Sequence, residues 1–221
     1  MTEECKVLLD GTVLHRIMAV REFTLNNGHY ILPGYKGGWL EKESNLSHDG
    51  CCWVDSDAEI ISDARICDNA LIVDKARIYD NAFIFGNAIV RGYAKVHGYA
   101  IVHGEARICK FAEISDMAHI YDNAIITGKS LVYKNSRVFG NCDIFGDAVI
   151  TSLQDYTVYK NTWSSGRWFT YTRSISKWKV GCFYGTGKEL IKKAYKDSKL
   201  SGKCYEAIVR VQNVIDRAME S

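Results

Sequence analysis

Residues 58–93 consist of six consecutive hexads, which read AEIISD-ARICDN-ALIVDK-ARIYDN-AFIFGN-AIVRGY. Alanine occupies every sixth position from 58 to 124, and a β-branched residue follows two positions after each alanine. Small residues keep the same phase up to Ala148, so the period runs without insertion from Val54 to Ile150. Because an α-helix repeats about every 3.6 residues, a strict period of six cannot keep one helical face apolar.

Each hexad has the composition of a short strand followed by a tight turn. The alanine and the β-branched residue are two inward positions separated by one outward residue, as the alternation of a strand requires. The residues that follow are turn formers, as in Asp80-Asn81, Gly86-Asn87 and Gly146-Asp147. Because these residue types tolerate a tight corner, the fixed short period predicts a β-solenoid.

The hexad Ile84-Phe85-Gly86-Asn87-Ala88-Ile89 resembles the hexapeptide repeat of left-handed parallel β-helices. The resemblance implies three hexads per coil, and therefore a left-handed triangular prism with an eighteen-residue rung. Residues 54–151 would then form about five coils. This superfamily includes acyltransferases, carbonic anhydrases and inert scaffolds, so the resemblance implies a fold and leaves the activity open.

Residues 1–53 precede the repeat and are predicted to form an N-terminal β cap. Val13–Phe23 alternates loosely in polarity and is predicted to be a strand. An open solenoid end exposes unpaired strand edges and apolar core, which Trp39 and Trp53 could cover. With Gly37-Gly38-Trp39-Leu40, the segment resembles the N-terminal part of hexapeptide-repeat proteins of bacteria and phages that are described only as transferases.

Residues 152–221 differ in kind from the repeat and are predicted to form a β-hairpin followed by two helices. Ser164-Ser165-Gly166 is a turn signal between two strands. Thr186 and Glu189 have the spacing of a capping box, and Gly202 is predicted to separate the two helices. The run from Gly181 to Thr186 resembles a small C-terminal module of uncharacterised phage and prophage proteins.

The outward residues of the predicted prism fall on three faces, each contributing two positions every eighteen residues. The first face begins with Glu59 and Ile61, the second with Arg65 and Cys67, and the third with Leu71 and Val73. The second and third faces are too apolar for a monomer. The superfamily commonly forms trimers along such faces, so we expect a homotrimer; the alternative is that the C-terminal segment folds back over one face. The predicted interface consists of Phe83, Phe85, Ile101, His103, His119, Tyr121 and Phe139.

Positive charge is concentrated after the repeat, although the whole chain has a net charge of only +2. From position 152 onward there are thirteen Lys or Arg and six Asp or Glu, a net charge of +7, which leaves −5 for the rest. Aromatic and basic residues alternate there, which predicts a site for a small anionic, nucleotide-like ligand or a host protein, but not for extended nucleic acid. The alternative is that the aromatic residues only cap the solenoid. The predicted ligand-binding residues are Arg167, Trp168, Arg173, Lys177, Trp178 and Lys179.

Histidines in the repeat raise the possibility of catalysis. In acyltransferases of this fold, a histidine between subunits deprotonates the acceptor, and His103 or His119 could take that role. The register is unbroken, however, and contains no loop to close an active site or accommodate pantetheine. We therefore expect no catalytic residues. We also expect no cofactor and no metal, since the histidines do not match the three-histidine zinc site of γ-class carbonic anhydrases.

Cysteine usage and hydropathy bear on where the chain resides. None of the eight cysteines forms a CxxC pair, which favours a reducing cytosol over a disulfide framework. The sequence has no apolar run of membrane-spanning length and no signal peptide at its start, so we expect a cytoplasmic protein without a membrane partner. The function expected from these features is that of a non-catalytic oligomeric binding or scaffold protein of phage origin, in keeping with a role in counter-defence.

Overall fold

A computed structural model describes residues 1–220 and has a parallel β-solenoid as its main body. The predicted fold class is confirmed: several parallel coils are followed by an antiparallel sheet and two helices. Six strands precede the regular repeat; they are β1 (Cys5–Val7), β2 (Val13–Met18), β3 (Phe23–Thr24), β4 (Tyr30–Ile31), β5 (Lys36–Leu40) and β6 (Trp53–Val54).

Sixteen strands of two residues each follow, one in every hexad. The first eight are β7 (Glu59–Ile60), β8 (Arg65–Ile66), β9 (Leu71–Ile72), β10 (Arg77–Ile78), β11 (Phe83–Ile84), β12 (Ile89–Val90), β13 (Lys95–Val96) and β14 (Ile101–Val102). The last eight are β15 (Arg107–Ile108), β16 (Glu113–Ile114), β17 (His119–Ile120), β18 (Ile125–Ile126), β19 (Leu131–Val132), β20 (Arg137–Val138), β21 (Asp143–Ile144) and β22 (Val149–Ile150).

Each strand of the repeat pairs in parallel with the strand three places later in the chain, which gives three sheets with an eighteen-residue rung. Arg77, for example, lies between Glu59 and Lys95 in the register of the first-face sheet. The second-face sheet runs from β8 to β20, and the third-face sheet runs from β6 to β21. The small residue and the β-branched residue of each hexad are at most 1% exposed, so the interior is filled by the two predicted inward series.

The parallel ladders begin before residue 54, so the solenoid has about six turns instead of the five expected. Strand β5 pairs in parallel with β7, β6 pairs with β9, and Leu46 forms a bridge with Ile66. This first coil lacks the alanine signature of the hexads. Gly38 stands where a Cβ would come within 2.7 Å of the Ala58 carbonyl oxygen, so glycine allows the backbone to approach the next rung.

The turn residues repeat one backbone conformation at every corner. The first turn residue has a positive φ at every sixth position from Ser56 to Gly146. Where this residue is aspartate, its carboxylate accepts a hydrogen bond from the backbone N–H of the same corner one rung later. Five corners show this bond, with N···O distances of 2.8–3.1 Å, and the accepting residues are Asp68, Asp74, Asp80, Asp116 and Asp122.

A four-stranded antiparallel sheet closes the far end of the solenoid. The predicted hairpin is its first pair of strands, and two further reversals, with positive φ at Ser176 and Gly181, extend it. Three side-chain oxygens of this module each accept a hydrogen bond from a backbone N–H of a different solenoid sheet. Tyr156 Oη accepts from Phe139, Thr170 Oγ1 accepts from Asp143, and Ser174 Oγ accepts from Val149. The exposed edge of the last coil is therefore partly satisfied. The strands are β23 (Tyr156–Lys160), β24 (Trp168–Thr172), β25 (Lys177–Val180) and β26 (Phe183–Gly185).

The two C-terminal helices are α1 (Gly187–Asp197) and α2 (Lys199–Glu220). The predicted capping box is present, since Thr186 and Glu189 exchange hydrogen bonds at the start of α1. The sequence predicted that the helices separate at Gly202, and this prediction is wrong, because α1 ends before Ser198. Gly202 lies inside α2. A glycine is needed there because a Cβ would overlap the ring of Tyr195 on α1. No helix within residues 1–220 combines the length and apolar character needed to cross a bilayer.

Replacing Asp122 by alanine tests the role of the corner carboxylates. Asp122 has a φ of 57°, and its Oδ2 lies 3.1 Å from the Gly140 nitrogen. Alanine tolerates this conformation poorly and cannot accept the bond, so we expect the free energy of unfolding to fall by about 2 kcal/mol. Asn, which tolerates a positive φ and retains an acceptor, is the matched control and should stay close to wild type. Equal chemical-denaturation midpoints for Asp122→Ala and Asp122→Asn would contradict this role.

Candidate functional site

The third face forms a trough between the two end modules. At one end, the hairpin β3–β4 lies over the solenoid, and its Asn26 Nδ2 donates to the Asn69 carbonyl oxygen at 2.9 Å. At the other end, β24 docks on β21. Adjoining recesses between these two walls share the outward residues Arg107, Ile125 and Asp143. We call this region the third-face trough.

Positive charge predominates in the third-face trough. Its cations are Arg91, Arg107, Lys110, Arg167 and Lys179, and its carboxylates are Asp74, Glu105 and Asp143. Arg107 is exposed, and its guanidinium group has no hydrogen bond or ion pair with residues 1–220, although its backbone N–H donates to the Ala124 carbonyl oxygen in the ladder. The ammonium groups of Lys110 and Lys179 lie 4.9 and 5.2 Å from the centre of the Phe145 ring. This end of the trough therefore combines cationic groups with an aromatic surface, and the Lys179 ammonium also donates to the Gly181 carbonyl oxygen.

Three of the six predicted ligand-binding residues converge on the C-terminal end of the trough. Arg167, Trp168 and Lys179 line one recess with Asn141 and Asp143. Arg167 is exposed and unpaired within the described chain, and Trp168 retains 38% of its surface, with the Lys160 ammonium 5.1 Å from its ring centre. These groups come from β24, β25 and the loop before β24, so only the antiparallel pairing brings them together.

The other three predicted ligand-binding residues lie elsewhere. Trp178 is 2% exposed, because alternation along β25 turns it toward the helices while Lys177 and Lys179 point away. Lys177 lies 4.9 Å from the ring of Tyr184. Arg173 Nε donates to Asp216 Oδ1 at 3.2 Å and so connects the sheet to α2. These residues stabilise the C-terminal module and do not line the trough.

Asp143 is a trough residue that the sequence analysis did not single out. Its Oδ1 is buried without a hydrogen-bond partner, and its Oδ2 lies 3.7 Å from Lys179 Nζ. Burial raises the pKa of this carboxyl group, and the nearby Lys179 ammonium opposes the shift. A signal existed in the sequence, since Asp143 is a carboxylate in the outward column that otherwise holds Trp53, Leu71, Ile89, Arg107 and Ile125.

The second face carries an aromatic ladder. The ring of His103 stacks on Phe85 at 4.6 Å and on Tyr121 at 5.5 Å, and Tyr121 stacks on Phe139 at 5.1 Å. The end modules bond to this sheet near its ends, through Leu46 and Tyr156. All seven residues of the predicted interface lie on this sheet or directly after its strands, and each is partly accessible.

Two histidines of the ladder lie side by side. His103 Nε2 and His119 Nε2 are 2.8 Å apart, so one ring donates to the other. Burial, followed by the effects of His103 and Arg137, lowers the pKa of His119. His97 lies on the first face, stacked on Tyr79 and 3.1 Å from Glu113 Oε1. Within residues 1–220, no group of three or more His, Cys, Asp or Glu side chains is arranged to hold a metal ion.

The cysteines offer no obvious nucleophile near the third-face trough or the aromatic ladder of the second face. All eight are free, and burial raises the pKa of both Cys52 and Cys142 to about 12. Thiols with such pKa values remain protonated at neutral pH and react slowly. Cys109, on the floor of the trough, is also buried and accepts a hydrogen bond from Arg91 Nε at 3.4 Å.

Comparison with known proteins supports the fold and no particular activity. The family model described as YdcK Beta solenoid repeat matches residues 76–92, which span β10 to β12. The chain is thus similar to a β-solenoid repeat family over one part of its solenoid. No curated protein matches the sequence.

The lowered pKa of His119 predicts a pH-dependent stability. Between the folded-state pKa and the ordinary value of 6.5, the unfolded chain binds more protons than the folded chain. The contribution of neutral His119 to the free energy of unfolding is therefore present above that pH window and is lost as the pH falls through it. We expect the melting temperature of wild type minus that of His119→Gln to fall between pH 7.5 and pH 5. A constant difference in differential scanning fluorimetry would refute the assignment.

Proposed function

We propose that this chain is a non-catalytic, oligomeric binding protein that holds a small anionic, nucleotide-like ligand in the third-face trough. The observation that carries the proposal is the pair of unpartnered guanidinium groups, Arg107 and Arg167, in adjoining recesses that share the indole of Trp168. A structural role would ordinarily pair such groups with carboxylates, as Arg173 pairs with Asp216.

The chemistry of these side chains fits a phosphorylated ligand with a flat ring. A guanidinium group can donate two parallel hydrogen bonds to a phosphate, which gives Arg an advantage over Lys in such a site. The indole of Trp168 offers a surface for base stacking. Ile125 lines the same recess as Arg107 and Trp168, and its apolar side chain reduces local hydration, which strengthens the electrostatic attraction.

The trough is positioned by a rigid framework, which supports a binding role. Its floor is a continuous parallel ladder, and its C-terminal wall is attached through the bond between Asp143 N–H and Thr170 Oγ1, with an N···O distance of 2.8 Å. The backbone of such elements loses little conformational freedom when a ligand binds, so less of the interaction energy is spent on ordering the site.

The oligomer in this proposal is a homotrimer packed along the second face. Contiguous apolar surface on a soluble chain commonly marks an interaction site, and the ladder of Phe85, His103, Tyr121 and Phe139 is continuous over four rungs. A left-handed hexapeptide-repeat prism would accommodate threefold packing. In keeping with the phage-like terminal segments, the protein would act in counter-defence, by sequestering a nucleotide signal or by engaging a host protein.

A second candidate is an acyltransferase with an inter-subunit histidine as general base. The specific observation in its favour is His119, whose lowered pKa keeps the imidazole neutral and whose Nε2 lies 2.8 Å from His103 Nε2. A neutral imidazole can accept a proton from an acceptor substrate. In the first proposal, the same pair simply belongs to the oligomer interface.

Calorimetric titration distinguishes the two candidates. If the trough binds the ligand, Arg167→Ala or Arg107→Ala should weaken binding of nucleoside monophosphates roughly ten- to hundredfold, as expected for a lost hydrogen bond to a charged group. Trp168→Ala should also weaken it, and Arg210→Ala, an exposed arginine on α2, is the charge-matched control. If the protein is a transferase, acetyl-CoA should bind, and acetyl transfer to an acceptor hydroxyl or amine, with release of free CoA, should be abolished by His119→Ala and retained by the trough variants.

Replacing Phe85 by glutamate tests the second-face interface. The substitution puts a charge between Phe83 and His103, which would be desolvated on association. We expect light scattering to show dissociation to a monomer, while circular dichroism retains the β signal. Ser115→Glu, on the first face, is the control and should leave the mass unchanged. An unchanged mass for Phe85→Glu would place any interface on another face.

A further inference from the structure

We propose that Asp143 reads the base of the bound ligand and makes the third-face trough selective for guanine nucleotides. This inference rests on the proposed nucleotide-binding function and adds a specificity-determining residue to it. The starting observation is that a partly buried carboxylate lies in the recesses shared with Trp168, in a site whose charged groups are mostly cations. A carboxylate repels phosphate, so its presence there needs a partner that donates hydrogen bonds.

One of the two carboxylate oxygens of Asp143 has no hydrogen-bond partner in the free protein. Oδ1 is buried with no donor, and Oδ2 forms an ion pair with Lys179 Nζ at 3.7 Å, which is beyond normal hydrogen-bond distance. Leaving such an acceptor unsatisfied costs free energy, and a ligand that donates to it recovers this cost. The χ2 torsion of aspartate is broad, so a small rotation can present both oxygens to the recess.

The position of Asp143 relative to its neighbours defines the ligand. Trp168 lines both recesses that Asp143 joins, Arg107 lies in one of them, and Arg167 lies in the other. A flat ring on the indole would therefore have its edge near the carboxylate and its phosphate near a guanidinium group. This arrangement calls for a nucleotide whose base edge donates hydrogen bonds.

Two acceptor oxygens select among the common bases. Guanine presents two adjacent donors, the ring N1–H and the 2-amino group, which match the two oxygens of a carboxylate. Adenine and cytosine present an amino group next to a ring-nitrogen acceptor, whose lone pair would face the second carboxylate oxygen. Uracil presents a single N–H between two carbonyl acceptors. Only guanine satisfies both oxygens without placing an acceptor against one of them.

Asp143→Asn provides the test, because an amide replaces one acceptor with a donor while the shape is retained. Wild-type protein is titrated calorimetrically with guanosine, adenosine, cytidine, uridine and xanthosine 5′-monophosphates. We expect guanosine monophosphate to bind tightest and Asp143→Asn to weaken it roughly ten- to hundredfold. The same variant should gain affinity for xanthosine monophosphate, whose N1–H and C2 carbonyl match the amide.

Two further variants control for charge and folding. Asp147→Asn removes an exposed carboxylate from the next corner of the solenoid and should leave all affinities unchanged. Asp143→Ala should lose affinity for guanosine monophosphate without gaining affinity for xanthosine monophosphate. The backbone N–H of residue 143 still bonds to Thr170 in both Asp143 variants, and thermal unfolding verifies that they fold.

The outcomes separate the two proposals. Equal wild-type affinities for the five nucleotides, or the same change in all of them on Asp143→Asn, would mean that Asp143 only neutralises Lys179; the specificity inference would then be wrong and the binding function would stand. If no nucleotide binds, the proposed function and the specificity inference both fail. Tight guanosine monophosphate binding with the expected reversal in Asp143→Asn would establish both.

Discussion

The hydrogen bonds between successive rungs at fixed corners are the interaction on which the rest of this structure depends. Each strand contributes only two residues, too few to define a sheet alone. The ladders persist because every corner turns through a positive φ, and because carboxylates such as that of Asp122 accept a backbone N–H from the corner above. The eighteen-residue rung, the buried alanine columns and the three outward faces all follow from this repetition.

The solenoid must end, and its ends create the candidate site. The N-terminal chain adds an irregular coil and a hairpin, and the C-terminal sheet supplies side-chain acceptors to all three sheets of the last rungs. Both modules extend over the third face. The satisfaction of exposed strand edges thereby produces a walled trough, and the same contacts that seal β21 bring Arg167 and Trp168 next to Asp143.

The second face is organised by stacking of aromatic side chains on successive rungs. Its rings stack along the prism because residues eighteen apart lie about one inter-strand spacing apart, so an aromatic residue repeated at one position builds a continuous column. His103 takes part in this column as an aromatic ring and also bonds to His119. The proposed oligomer would use the apolar surface of this column and the alternative transferase would use the neutral imidazole of His119, so both candidate functions draw on the same two side chains.

The sequence by itself determined the solenoid, the inward and outward positions of each hexad, and the capping box at Thr186, because each depends on local periodicity or on residues close in the chain. The eighteen-residue rung was implied only by the resemblance to hexapeptide-repeat proteins, and the strand pairing confirms it. The sequence missed the first coil, which lacks the hexad signature, and it misplaced the helix break, because Gly202 packs closely against Tyr195 inside α2 and does not end a helix. For the basic and aromatic segment that follows the repeat, the sequence identified only the composition. Tertiary structure alone decided that Trp178 is buried and that Arg167, Trp168 and Lys179 meet Asp143, because antiparallel pairing and docking join residues that are distant in sequence.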